Sequence, residues 1–187
     1  MMFRTHEVAG MVACTVALPI LTKYGLANNM EVLDVGLVMA GGLVGAMLPD
    51  IDSPSSKIRR LVRKVFTGNP TPKKQVINHR REPHMPLVWA VIFAILFATI
   101  KPGIATTVLC GLAVGVFSHL LIDMFNPAGI PLFGPFKRKK ISLLPIKTNS
   151  WGETVIGWLL VLLEIYLLFF TDSVAVFSSF MNGILNL

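Results

Sequence analysis

The fold is decided by the stretch from Gly103 to Ile122, GIATTVLCGLAVGVFSHLLI, which contains no charged residue. A helix needs about 20 apolar residues to cross the hydrocarbon core of a bilayer, so this stretch predicts a transmembrane helix. Four further apolar segments run over Val8–Leu21, Val32–Leu48, Leu87–Ile100 and Thr154–Phe170. The sequence therefore predicts an all-α polytopic membrane protein with about five transmembrane helices, although the segment before Ile100 is short for a span.

The composition supports the membrane class. The chain of 187 residues is 53% hydrophobic and 14% charged, with a mean hydropathy of +0.67. A soluble domain carries about 25% charged residues, so a soluble fold is excluded. The formal charge of +7 is typical of basic loops beside anionic lipid, and we expect no nucleic-acid partner. Cys14 and Cys110 lie within apolar segments and have no CxxC spacing, which favours packed thiols.

Basic residues orient the chain across the membrane. With the N-terminus in the cytoplasm and five alternating spans, only Lys23 and Lys101 of the 17 Lys and Arg residues fall outside. We therefore predict one membrane-embedded domain over residues 1–187, with a cytoplasmic N-terminus and cytoplasmic loops at about 49–86 and 123–153. The first loop contains a predicted amphipathic basic helix, Ser56–Phe66, which would lie on anionic headgroups. A solvated helix packed on neighbouring loops is the alternative.

The first candidate site residues lie at the cytoplasmic ends of the spans. His119 and Asp123 are four residues apart and so share one helical face. Ionisable groups at membrane depth are costly and usually functional, although a hydrogen bond that closes a helix end is the alternative. His6 immediately precedes the first span.

Two loop motifs add candidates to this face. Asp50 and Asp52 stand in the segment LPDIDSP, where the spacing is typical of a hard-metal ligand pair and also of a turn or helix cap. The second motif is NHRREPH, which begins at Asn78 and ends at His84. Its two histidines can converge through the bend at Pro83, and its two arginines could hold an anionic group. A basic juxtamembrane loop with incidental histidines is the alternative.

Two glutamates are assigned different roles. Glu153 precedes the last span at the same face, whereas Glu164 lies about 16 Å deeper at 1.5 Å per residue. That depth separates Glu164 from the candidate site and predicts an interhelical hydrogen bond instead. Clustered imidazole and carboxylate groups are ligands for zinc and related metals. Since no HExxH, GxSxG or Walker motif is present, metal-activated water is the most accessible hydrolytic chemistry.

These motifs resemble those of the YdjM-like family of bacterial inner-membrane metal-dependent hydrolases, some of which are LexA-regulated. The matching motifs occur in the same order as in the family: LPDIDSP at 48–54, HR at 79–80 with His84 after it, SHLLID at 118–123 and PAGIPL at 127–132. The resemblance covers roughly residues 3–160. The family pattern His-Arg-Gly-x-Thr-His-Ser reads here as His-Arg-Arg-Glu-Pro-His-Met, so Arg81, Pro83 and Met85 depart from it. Both histidines are kept, while the different backbone implies altered local geometry.

The resemblance implies hydrolysis of a phosphoester. The family is distantly similar to zinc-dependent phospholipase C and P1-type nucleases, which implies one to three zinc ions and an anionic phospholipid as substrate or partner. The expected metal ligands are His6, Asp50, His79, His84, His119 and Asp123. Asp52 and Glu153 are expected as ligands, general bases or supporting groups, and Arg80 and Arg81 as groups that stabilise developing negative charge.

Two alternatives without catalysis remain at this stage. One is a metal-binding or ion-translocating membrane protein, although a transporter would carry more polar residues along its spans. The other is a membrane adaptor that recruits a cytoplasmic partner through its basic loops and needs no metal.

Overall fold

The protein is all-α, as predicted. The computed structural model describes residues 3–24, 32–52, 64–65, 82–136 and 139–170. Its helices are α1 Phe3–Lys23, α2 Val32–Gly45, α3 Pro86–Thr99, α4 Ile104–Asp123 and α5 Trp151–Phe170. Two short 3₁₀ turns, Leu48–Asp52 and Glu82–His84, precede α3. Within the described ranges the β-structure is limited to one isolated bridge between Ile130 and Ile141.

Three of the five predicted spans are confirmed by length and composition. Among the described residues, α1, α4 and α5 are long and apolar enough to cross a membrane. The helices α2 and α3 are apolar but contain 14 residues each, about 21 Å of helix against a hydrocarbon core of roughly 30 Å. The helix α2 ends at Gly45, three residues before the predicted end at Leu48, because a turn and Pro49 follow.

The helices α2 and α4 run parallel in a fixed register. Their facing residues, each pair 73 positions apart, are Asp34 with Thr107, Val38 with Gly111, Gly42 with Gly115, and Ala46 with His119. A Cβ atom on Gly111 would collide with the carbonyl oxygen of Val38, and one on Gly115 with that of Gly42. Small residues four apart allow such close helix approach in membranes. These four contacts between α2 and α4 therefore determine where His119 lies.

A second parallel pair joins α1 to α5. Thr5 donates a hydrogen bond to Glu153 at 3.4 Å, and Thr15 donates one to Glu164 at 2.7 Å. The two contacts lie almost equally far along both helices, so the N-terminal ends of α1 and α5 are at the same end of the bundle. The contact between Thr15 and Glu164 confirms the predicted interhelical role of Glu164.

The segment between α4 and α5 folds back on the end of α4. The backbone N–H of Leu143 donates to the carbonyl of Met124 at 2.7 Å, and that of Ile146 donates to Phe125 at 3.0 Å. Asn126 donates through its side-chain amide to the Thr148 hydroxyl at 3.0 Å. These bonds bring the start of α5 beside the end of α4, where the candidate site lies.

Candidate metal centre

Five of the predicted site residues come together at one end of the bundle. His6 is contributed by α1, Asp50 and His84 by the two 3₁₀ turns, and His119 and Asp123 by α4. The side chains of the three histidines and Asp123 are buried, whereas that of Asp50 is 28% exposed. Convergence at one membrane face was expected, and the structure brings these five residues together from four elements.

His119 is held in a defined tautomer. Its Nδ1 lies 2.6 Å from the carbonyl oxygen of Ala46. A carbonyl oxygen can only accept, so Nδ1 carries the proton and Nε2 presents its lone pair. That lone pair faces Asp50 Oδ1 at 3.9 Å and Asp123 Oδ2 at 3.6 Å. Metal-binding histidines are commonly oriented in this way, by a hydrogen bond from the second ring nitrogen to a backbone carbonyl.

Asp123 is the centre of the cluster. Its Oδ1 lies 3.5 Å from His6 Nε2, and its Oδ2 lies 3.4 Å from His84 Nε2. His84 Nε2 in turn lies 3.5 Å from Asp50 Oδ1. These separations exceed the usual 2.7–3.2 Å of a hydrogen bond. Two ligands at about 2.0–2.1 Å from a tetrahedral zinc ion lie roughly 3.4 Å apart, which matches the observed spacing.

The five residues form two overlapping groups of three. His6, Asp50 and His119 form one group, and His84, His119 and Asp123 form the other, with ligand atoms within 4.8 Å of one another in each. His119 belongs to both but has only Nε2 available, because its Nδ1 is bonded to Ala46. Each aspartate has two oxygens and can bridge two ions. Each group therefore offers three ligand atoms that could hold one metal ion.

Buried nitrogen atoms also point to a bound cation. Within the described part of the chain, His6 Nδ1 and His119 Nε2 are buried without a hydrogen-bond partner. An unsatisfied buried polar atom costs free energy, so each such atom in a native protein needs a physical reason. The rings of His6 and His119 also stack, with centroids 3.8 Å apart and planes inclined by 13°.

The electrostatics at the two 3₁₀ turns agree with this interpretation. Burial tends to raise the pKa of Asp50, but the nearby imidazoles of His84, His119 and His6 lower the pKa to about 2. Burial tends to lower the pKa of His84, but Asp123 and Asp50 outweigh it and raise the pKa. The carboxylates thus remain ionised and attract positive charge to His84, the position at which a metal ion would replace a proton.

Glu153 lies beside the cluster rather than within its two ligand groups. Its Oε1 accepts from Thr5, the neighbour of His6, and its Oε2 accepts from the Asn149 backbone N–H at 2.6 Å. The Glu153 backbone N–H donates to Ser150 Oγ at 3.4 Å. Ser150 therefore caps the start of α5 as in a capping box, except that the glutamate carboxylate accepts from Asn149, the residue before the cap. The Ser-x-x-Glu spacing from Ser150 to Glu153 is its sequence signal.

Four other predicted site residues stay as predictions. His79, Arg80 and Arg81 lie outside the described residues, as does most of the predicted amphipathic helix Ser56–Phe66 and the whole C-terminal tail. Asp52 ends the first 3₁₀ turn, two residues after Asp50, and its side chain is not described. The contribution of the Ala46 carbonyl was missed, because a backbone contact leaves no residue signature in the sequence.

Comparison with known proteins identifies a family. A family model described as YdjM inner membrane protein matches residues 1–181, nearly the whole chain. No curated protein and no solved structure matches the chain.

Proposed function

We propose that this chain, which belongs to the YdjM inner membrane protein family, is a membrane-bound metal-dependent hydrolase that acts on a phosphoester. The observation that carries the proposal is the spacing of 3.4–3.9 Å among buried imidazole nitrogens and carboxylate oxygens from four separate elements. We further propose that the chain is multi-pass with a cytoplasmic N-terminus, since the basic residues are so unevenly divided between its loops.

The bound group is proposed to be zinc, one to three ions. His6, Asp50, His84, His119 and Asp123 would hold it, with His79 as a further ligand. When bound, such an ion lowers the pKa of a coordinated water to about 7 and polarises the scissile bond. Ligand exchange needs an accessible side, and the partly exposed Asp50 carboxylate marks it, because the other four side chains are almost fully buried.

The remaining predicted residues take supporting roles in the proposal. Arg80 and Arg81 would bind the phosphoryl oxygens and stabilise the charge that develops on them. Asp52 is the proposed general base. Both carboxylate oxygens of Glu153 accept hydrogen bonds, which supports a positioning role for Glu153 through Thr5 and the adjacent His6.

The substrate class follows from the setting of the site. The centre lies at the end of an apolar helix bundle, and the predicted cytoplasmic loops carry most of the basic residues. An anionic phospholipid reaching the site from the inner leaflet fits both features. No feature of the site favours a nucleic acid.

Ion translocation is the second candidate, because two buried carboxylates lie along the helices. Glu164 and Asp34 each accept a hydrogen bond from a threonine on a neighbouring helix. The described residues around Cys14, Val38 and Cys110 form an apolar cluster inside the bundle. A polar path through the bundle would have to cross this cluster, so hydrolysis remains the favoured function.

The deciding experiment measures metal and turnover in the same samples. Purified wild-type protein in mixed micelles is expected to contain zinc and to cleave a phospholipid or a model phosphodiester, and chelation should abolish the cleavage. His119→Ala should lose both. Asp34→Asn, which removes a buried carboxylate far from the centre, should keep both. Full zinc occupancy without turnover on any phosphoester would favour the binding or transport candidate, and metal content near zero would favour the adaptor.

A further inference from the structure

A cavity of about 800 Å³ lies next to the metal centre but does not include it. Its walls come from the start of α3, at Leu87, and from residues 132–134, 136 and 139–142. Its volume falls within the roughly 300–1,000 Å³ that is usual for small-molecule sites. None of the expected site residues that the structure describes lines it, so the proposed function leaves it unassigned.

The cavity is adjacent to the centre through Met85. This residue directly follows His84 and is buried, and the cavity residue Gly134 packs against it. A Cβ atom on Gly134 would come within 2.8 Å of the Met85 thioether sulfur. One flexible methionine side chain therefore separates this wall of the cavity from the residue that ligates the proposed metal.

The walls combine two chemistries. Phe133 and Phe136 are 57% and 85% exposed. Lys139 and Lys140 are also exposed and line the same cavity. Exposed aromatic side chains beside lysines, at the end of a bundle of apolar helices, are typical of a surface that sits at the boundary of headgroups and acyl chains.

We propose that this cavity, formed by Leu87 and residues 132–134, 136 and 139–142, binds a phospholipid with an anionic headgroup drawn from the surrounding bilayer. Phe133, Phe136 and Leu132 contact the glycerol region and upper acyl chains, while Lys139 and Lys140 pair with the headgroup phosphate. The charge complementarity and the apolar wall together select a lipid over a free phosphate, which would leave the aromatic side chains without a partner. The binding of a lipid in this cavity does not depend on hydrolysis. The delivery of that lipid from the cavity to the metal centre rests on the proposed function.

The test uses the full-length protein in neutral detergent micelles. It is titrated with a phosphatidylglycerol that carries a diazirine in one acyl chain, and then irradiated. Adducts are expected on the peptides that contain Leu87 and residues 132–142. The double variant Lys139→Gln/Lys140→Gln should raise the half-saturating lipid concentration by about 5-fold per lysine, or about 30-fold in all. Lys23→Gln/Lys101→Gln, which removes two exposed lysines at the other end of the bundle, should leave that concentration unchanged.

Three outcomes would overturn the proposal: adducts concentrated elsewhere, a half-saturating concentration unaffected by the double variant, or equal labelling by a matched phosphatidylcholine probe. Turnover of a phosphodiester is measured on the same untreated wild-type samples. Labelling at the cavity without any turnover would keep the lipid site while the proposed hydrolysis fails. Turnover without labelling at the cavity would keep the hydrolysis and overturn the lipid site.

Discussion

His119 donates its Nδ1 proton to the carbonyl oxygen of Ala46 at 2.6 Å. This is the last of the four contacts that join α2 to α4. The bond links helix packing to the proposed chemistry, because it fixes the tautomer that presents Nε2 to Asp50 and Asp123. The geometry of the centre should therefore depend on glycines that are not themselves candidate ligands.

Gly115→Ala tests this dependence. The new methyl group would collide with the Gly42 carbonyl oxygen and force α2 away from α4. Overpacking of this kind costs about 1–3 kcal/mol, and it would lengthen the bond between His119 and Ala46. We expect a lower melting temperature and weaker zinc binding, measured by thermal unfolding in detergent and by metal analysis.

Gly36 and Gly157 provide matched controls for this substitution. Both are helical, and a Cβ atom at either would have no neighbour within 4 Å. Their alanine variants should keep wild-type zinc content and unfold at the wild-type temperature or slightly above it, since alanine favours helix. Equal loss in all three variants would show that the close packing of α2 on α4 does not position the site.

Metal binding should stabilise the fold. Zinc ligates only the folded cluster, so saturation at 100 times the dissociation constant would add about 2.7 kcal/mol to the free energy of unfolding. Wild-type protein should unfold at a higher temperature with zinc than with a chelator. His84→Ala should abolish that difference, whereas Asp34→Asn should retain it. An identical melting temperature with and without zinc would contradict a metal centre.

Glu153→Gln separates a positioning role from a ligand role. The amide can still accept from one partner, but it cannot accept through both atoms as the carboxylate does from Thr5 and Asn149. The variant should lose about 1 kcal/mol from the cap of α5, and zinc affinity should fall about 10–100-fold. Asp123→Asn should instead remove zinc binding almost completely. Equal losses in the two variants would make Glu153 a ligand.

Local sequence patterns predicted both ends of α3 and α4 to within one residue, but α1 begins at Phe3 and not at Val8, so His6 lies within α1 rather than before it. The patterns did not show how the helices pair. The four-residue spacing of Gly111 and Gly115 signals a close helix contact, yet it does not say that α2 is the partner or that the pair is parallel. The convergence of five candidate ligands could be predicted because polar groups are rare in the apolar spans and gather at their ends. The spacing of Ser150 and Glu153 also predicts a cap at the start of α5.

The proposed topology gives the last prediction. Lys101 and Lys147 lie at opposite ends of the bundle. Lys101 precedes α4, whose other end carries Asp123, and Lys147 precedes α5, whose start lies beside that end of α4. The native thiols, Cys14 and Cys110, are buried and should react poorly with a maleimide that does not cross membranes. In spheroplasts, Lys101→Cys should therefore be labelled from outside, whereas Lys147→Cys should react only after the membrane is permeabilised. Labelling of Lys147→Cys in intact spheroplasts would place the metal centre at the outer face and would exclude a substrate from the inner leaflet. Labelling of both positions from outside would contradict a bundle that crosses the membrane at all.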